Sequence, residues 1–209
     1  MKRRTDPPNN APHPGWGLLL ATSGDCPGRQ RLAIDGAPVG SDNGAHHAVA
    51  GDVTKDTAGI VFGPGEGKDV LDVFGGEVII SVDGAETQGA YALLQMHAPG
   101  DVTPPREAFP PAHVHPQDEE AWFILEGTFT FQLGERTVEV GAGSFVLAPR
   151  ETVHAFWPTG PQPHRWLTIF SPSGMEGYFR EFAHNLHRYQ TASPAEIEAL
   201  ARKYHFEFV

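Results

Sequence analysis

Between Val70 and Phe170, short β-branched and aromatic runs follow one another with no helical period of useful length between them, each ended by glycine, proline or aspartate. The runs are Val70 to Phe74, Glu77 to Val82, Gly89 to His97, Ala112 to His115, Ala121 to Leu125, Thr128 to Leu133, Thr137 to Val140, Phe145 to Leu147, Val153 to Trp157 and Trp166 to Phe170. So many strands in so little chain must close on themselves or stack as two sheets, because open edges expose rows of unpaired backbone groups. The spacing predicts an all-β jelly-roll barrel over residues 58–172. The 24 glycines and 19 prolines among 209 residues agree, since a helical bundle does not tolerate that density of turn formers.

The flanks read differently. Residues 1–57 mix Pro, Gly, Asn, Asp and Ala without a sustained period and are expected to form a disordered N-terminal arm. Its His46-His47 pair is read as part of a solvated loop, because adjacent residues rarely converge on one ion. The opening MKRR and the apolar Gly15–Ala21 give only a broken imitation of a signal peptide, interrupted by Pro7, Pro8, Pro12 and Pro14. After Pro172 the period becomes helical over 173–209. Ser173 and Glu176 form a capping-box pattern, and Met175, Tyr178, Phe179, Phe182, Leu186 and Tyr189 make one apolar stripe suited to covering the barrel. A second helix is expected from Ser193, with Pro194 at its first position, Glu196 completing another box, and Ile197, Leu200, Ala201 and Tyr204 on its buried side.

A net charge of −11 argues against nucleic acid and anionic membrane surfaces as partners, since both require a basic face. Cys26 is the only cysteine, which removes an intramolecular disulfide and a thiolate metal cage and suits a reducing cytoplasm. No stretch is long and apolar enough to span a bilayer. A small molecule is the expected partner, and a barrel with an exposed sheet face is also expected to pair as a homodimer.

His113 and His115 stand two apart in a predicted strand and so present both imidazoles on one face. Glu120 follows a turn that Pro116 helps to form, and His154 opens another short strand after Gly143–Pro149. Three imidazoles and one carboxylate suit a transition ion (Fe, Mn, Co, Ni, Cu or Zn) better than calcium or magnesium. Glu119 is the neighbouring alternative to Glu120.

Here the chain resembles the cupin superfamily, whose two motifs read HxHxxxxExxxxxxG and GxxxxxPxxxxH. His113, His115, Glu120 and Gly127 fill the first; Gly143, Pro149 and His154 fill the second. The resemblance spans about Gly63 to Phe170. It implies a double-stranded β-helix in which His113, His115, Glu120 and His154 ligate one metal ion, and it favours Glu120 over Glu119, since only Glu120 stands seven before Gly127. The Ser-Pro-Ser-Gly entry to the tail is similar to that of single-domain bacterial cupins of the quercetin 2,3-dioxygenase type. Three positions depart from the family's frequent Gly, Gly and Asn: Glu107, Glu151 and Pro158. None is a ligand position, but Glu151 before His154 implies a turn with an ordinary backbone conformation.

Strand alternation then predicts the pocket. Trp122 and Ile124 share a face with Glu120, Phe156 shares one with His154, and Gln95 stands ready to orient a substrate. His97 and His164 are read as ordinary polar residues near strand ends, and His184 and His187 as part of a solvated helix face. The resulting expectation is a metal-dependent dioxygenase, with iron first among the ions, that binds an enolisable aromatic of flavonol or polyketide type together with dioxygen. Glu120 serves in it as ligand and as catalytic base. A Lewis-acid isomerase, cyclase or decarboxylase, and a non-catalytic binding protein, are the alternatives.

Overall fold

The computed structural model describes residues 59–73, 75–100, 109–189 and 191–209; the expected arm over 1–57, with His46 and His47, and Glu107 lie outside them. In chain order the strands are β1 (Asp69–Val73), β2 (Gly76–Val82), β3 (Ala92–Ala98), β4 (His113–Val114), β5 (Glu119–Glu126), β6 (Thr128–Leu133), β7 (Arg136–Gly141), β8 (Phe145–Ala148), β9 (His154–Thr159), β10 (His164–Ser171) and β11 (Glu207–Phe208). The helices are α1 (Gly84–Thr87), α2 (Met175–His184), α3 (Leu186–Tyr189) and α4 (Pro194–Lys203).

All pairings are antiparallel, and they form two sheets of order β1-β2-β3-β10-β5-β8 and β11-β4-β9-β6-β7. The chain crosses repeatedly between the sheets, and the result is a double-stranded β-helix of the jelly-roll type. Period two sorts the side chains: in β5, Trp122 and Ile124 are buried while Phe123 and Leu125 are exposed; in β8, Val146 and Ala148 are buried while Phe145 and Leu147 are exposed. The buried sets of β5, β6, β8, β9 and β10 meet as one aromatic cluster that includes Trp122, Phe129, Phe131, Phe156 and Trp166.

Two turns show why particular residues stand where they do. Gly127 joins β5 to β6 at φ +86°, and a Cβ there would lie 2.4 Å from His164 Cδ2, so this position admits only glycine. Glu151, by contrast, sits at φ 63°, which corrects the expectation of an ordinary conformation before His154. A non-glycine residue in that region costs about 1 kcal/mol, and the turn is held by Thr152 N donating to Pro149 O (3.1 Å) and Glu151 N donating to His115 O (2.9 Å).

The tail differs from its sequence reading in two respects. The capping box expected of Ser173 is absent: α2 starts one residue later, after Gly174, and Glu176 instead accepts hydrogen bonds from Gly174 N (2.6 Å) and Gly84 N (3.3 Å). Past α4 the chain does not simply end but returns as β11. The stripe Met175, Tyr178, Phe179, Phe182 and Tyr189 packs on Leu71, Val73, Val78, Ile80 and Leu94, so α2 and α3 close the β1–β3 end of the barrel. At α4, Glu196 accepts from the backbone N and the Oγ of Ser193, each at 2.9 Å, as its box pattern requires.

Polar clamps bind this closure. Arg180 of α2 reaches Asp69 of β1 (2.7 Å) and Asp83 (2.6 Å), and Lys68 reaches Asp83 (2.8 Å) and Glu86 (2.6 Å). Burial works against the charged form of Asp83, but hydrogen bonds from Lys68 and Arg180 outweigh it and hold the carboxyl far below its ordinary value of 3.8. A depressed carboxyl contributes stability that is fully present above its unfolded value and is lost as pH falls through the folded one. Acid unfolding should therefore steepen below about pH 4, and Asp83→Asn should flatten that part of the pH–stability curve. Arg180→Ala should cost roughly 1–2 kcal/mol in urea denaturation at neutral pH; an unchanged midpoint would show that α2 is held by its apolar stripe alone.

Candidate metal centre

His113 lies in β4 directly opposite His154 of β9, one residue facing the other across the ladder. His115 follows on the same side of the chain, two residues on. Glu120 comes from the other sheet, where β5 pairs it with Ala148 and Phe170. The four side chains are buried, and one ligand atom from each lies within 4.8 Å of all the others. Glu120 Oε2 is the hub, at 3.2 Å from His154 Nε2, 3.4 Å from His115 Nε2 and 4.0 Å from His113 Nε2. Glu119 faces outward and lies 3.6 Å from Arg150, so of the two adjacent glutamates it is Glu120 that meets the histidines.

Each imidazole is aimed from behind. His113 Nδ1 lies 2.9 Å from Pro111 O, and His154 Nδ1 lies 2.8 Å from Thr152 O. A carbonyl oxygen only accepts, so Nδ1 carries the proton in both rings and Nε2 keeps its lone pair for the centre. His115 Nδ1 lies 2.8 Å from Asp118 Oδ2, a distance suited to a charge contact, although the two atoms are not aligned as a hydrogen bond. Burial pulls the His154 imidazole toward its neutral form, but Glu120, the Thr152 carbonyl and Asp118 together outweigh it, so the ring titrates above its ordinary value when no cation is present. Convergent Nε2 lone pairs, a buried carboxylate and outer acceptors on the far nitrogens make a donor set that fits a transition ion.

His113, His115 and Glu120 form the floor of a cleft of about 830 Å³, including its open mouth, while His154 does not line it. Phe156 is on the cleft wall, as its alternation with His154 predicts. Trp122 and Gln95 are not. Trp122 is fully buried behind His154, ring edge to ring face at 5.5 Å, in the solid core against Phe131. Gln95 points out of the barrel, between the inward Leu94 and Met96, and donates to Ser81 Oγ at 2.9 Å. The wall position on β3 belongs to Met96, and His97 stands nearby at the cleft. His164 lies away from it, with its Nε2 3.1 Å from Thr159 O.

Further walls come from the tail, whose apolar stripe predicts a cover for the barrel but no part in the site. Met175, Tyr178 and Phe179 of α2 line the cleft, and β11 pairs with β4, placing Phe208 opposite His113. Phe206, immediately before β11, stacks on the His115 ring at 5.4 Å and 20° and meets His113 edge-on at 5.8 Å. Tyr178 in turn meets Phe206 edge-on at 5.1 Å, and burial raises its phenol pKa well above the ordinary value, so the hydroxyl stays protonated. The Phe-Glu-Phe alternation at 206–208 is the one available sequence signal for this wall.

Fold and site together describe a double-stranded β-helix whose buried donor set could hold a transition ion. Residues 101–170 match the family model described as a Cupin domain. No curated protein matches the chain. Among solved structures, a Klebsiella pneumoniae protein with a double-stranded β-helix domain is 20% identical over 47% of this chain and 77% of its own, with a TM-score of 0.37. KdgF from Halomonas sp. is 17% identical over 52% and 92%, with a TM-score of 0.43. A variant of Bacillus subtilis oxalate decarboxylase is 19% identical over 50% and 28%, with a TM-score of 0.41.

Removing the carboxylate that stands 2.8 Å behind His115 should loosen the centre without removing a ligand. Asp118→Ala is expected to weaken metal affinity by about 10–100-fold, read by competition against a chromogenic chelator, and His115→Ala should weaken it further. Full retention of affinity in His115→Ala would remove that imidazole from the ligand set.

Proposed function

We propose that this protein is a mononuclear metal-dependent dioxygenase of the quercetinase-like cupin type, acting on an enolisable aromatic such as a flavonol or polyketide phenol. The observation that carries the reading is the pairing of one buried set of three histidines and a glutamate with a cleft whose other walls are almost wholly aromatic and aliphatic. When bound, a divalent transition ion, with iron as the first choice, supplies Lewis acidity and electron transfer toward dioxygen. His113, His115 and His154 present neutral nitrogens to it, and Glu120 is its one anionic ligand. With three neutral ligands and one carboxylate the loaded centre retains about one positive charge, which favours a chelating anion such as an enolate.

Glu120 takes the proton that the substrate hydroxyl gives up; its Oε2 lies 3.2 Å from His154 Nε2. Phe156 and Phe206 offer ring faces and edges to a flat substrate, while Met96 and Phe179 exclude water from around it. Tyr178, kept protonated by burial, is the only phenol among the lining residues.

Purified protein should contain one transition ion per chain by elemental analysis and consume dioxygen when a flavonol or related enol is added. Glu120→Gln should lower turnover by about 10²–10⁴-fold. Product without oxygen uptake would replace the dioxygenase by a Lewis-acid isomerase, cyclase or decarboxylase. A stable, unconverted complex would leave only binding, and protein that takes up no metal would end both enzymatic readings.

A further inference from the structure

The outer face of the six-stranded sheet is apolar at the place where a water-facing antiparallel sheet ordinarily alternates to polar side chains. Phe123 (40% exposed) and Leu125 (41%) of β5 point away from the barrel, as do Phe145 (61%) and Leu147 (44%) of β8. Register joins them into one surface: Phe145 lies opposite Phe123, and Phe123 lies opposite Leu167 of β10, with Ile169 two residues along. Exposed apolar surface of this extent marks a docking site.

The chain itself arrives on this face. Gly67 runs so close over β2 that a Cβ on it would lie 2.5 Å from Ile79 Cγ2, and Lys68 N donates to Ile80 O at 2.8 Å. Ile79 points outward, since its neighbours Val78 and Ile80 face the core cluster beneath the helices. Gly65 shares a shallow hollow with Gln95, Arg165 and Leu125, so the segment before β1 reaches the outer face beside β3, β10 and β5. Ile60, Val61 and Phe62, just before it, are themselves exposed. Among the residues before Gly59, the most apolar stretch is Trp16-Gly17-Leu18-Leu19-Leu20.

We propose that residues Trp16–Leu20 dock in cis on the outer face of the six-stranded sheet, covering Phe123, Leu125, Phe145 and Leu147. The connecting residues are long enough: a coil of that length has an r.m.s. reach of roughly 33 Å, whereas six strands at about 4.8 Å spacing are about 24 Å across. Tethering also presents the stretch at an effective concentration of order 1 mM, well above a second copy at micromolar protein.

Cys26, the only cysteine, lies six residues beyond Leu20 and gives a native attachment point for a nitroxide spin label. In the isotope-labelled full chain, the label should cause loss of amide signal intensity in β5 and β8 while sparing β6 and β7. The loss should vanish when Trp16→Ser, Leu18→Ser and Leu19→Ser are combined, substitutions that leave the barrel untouched. Mixing spin-labelled chain with separately isotope-labelled chain should show no loss. Intensity preserved on β5 and β8, loss that survives the triple substitution, or loss that appears equally in the mixed sample would each overturn the proposal, the last in favour of a second copy on that face.

Discussion

Three imidazoles and a carboxylate buried together are a costly arrangement in an otherwise apolar interior, and this barrel meets the cost locally. His113 and His154 each lean on the carbonyl two residues before them, and His115 stands against the carboxylate three residues after it. The orientation of every imidazole is thus written into the short segment that carries it. What the barrel adds is convergence: β4 and β9 face His113 with His154, the Glu151–His115 hydrogen bond fastens the turn before His154 to the segment after β4, and β5 delivers Glu120 from the opposite sheet. The strained conformation of Glu151 belongs to this fastening, because the left-handed residue is the one whose N–H reaches His115 O.

The barrel supplies the floor of the cleft, while much of its apolar wall is supplied by the tail. α2 contributes Met175, Tyr178 and Phe179, and the returning chain contributes Phe206 and Phe208. The wall stacked on His115 therefore depends on a two-residue strand, β11, and on the backbone hydrogen bond from Val209 N to Ala112 O at 3.0 Å. Closure of the β1–β3 end by the helical stripe and shaping of the site are consequently one structural event: α4 packs Ile197, Leu200 and Ala201 into the same cluster that includes Phe206.

How far the sequence was readable follows from the same geometry. Period two places His113 and His115 on one face and Phe156 beside His154, and the side-chain distances agree with that pattern. The same period places Trp122 on the face of Glu120, which is also correct, yet it does not say where along that face the cavity ends and solid core begins; Phe129 and Phe131 of β6 fill the space one step further on. Gln95 fails for another reason: inward positions on β3 are Ala92, Leu94 and Met96, and a polar residue flanked by two inward apolar ones must point out. α1 and β11 are too short to show a period. The bend that brings Phe206 onto His115 is a tertiary contact between residues far apart in sequence, and no local pattern encodes it.

The placement of charge within the cleft completes the physical picture. Its floor concentrates the ionisable groups, and apart from Glu77 and His97 the side walls are aromatic, aliphatic or, at Tyr178, phenolic. In such a pocket water screens poorly, so the difference between a centre carrying one carboxylate and a centre carrying that carboxylate with a dication is felt at full strength by anything that enters. Burial opposes a proton on His154, but Glu120, the Thr152 carbonyl and Asp118 outweigh it and raise the ring's proton affinity, which means that, without a cation, the cluster attracts a proton to the very atoms a metal needs. Metal and proton therefore compete for one set of lone pairs, and the apolar walls sharpen that competition by leaving no other polar group on the floor to share the charge.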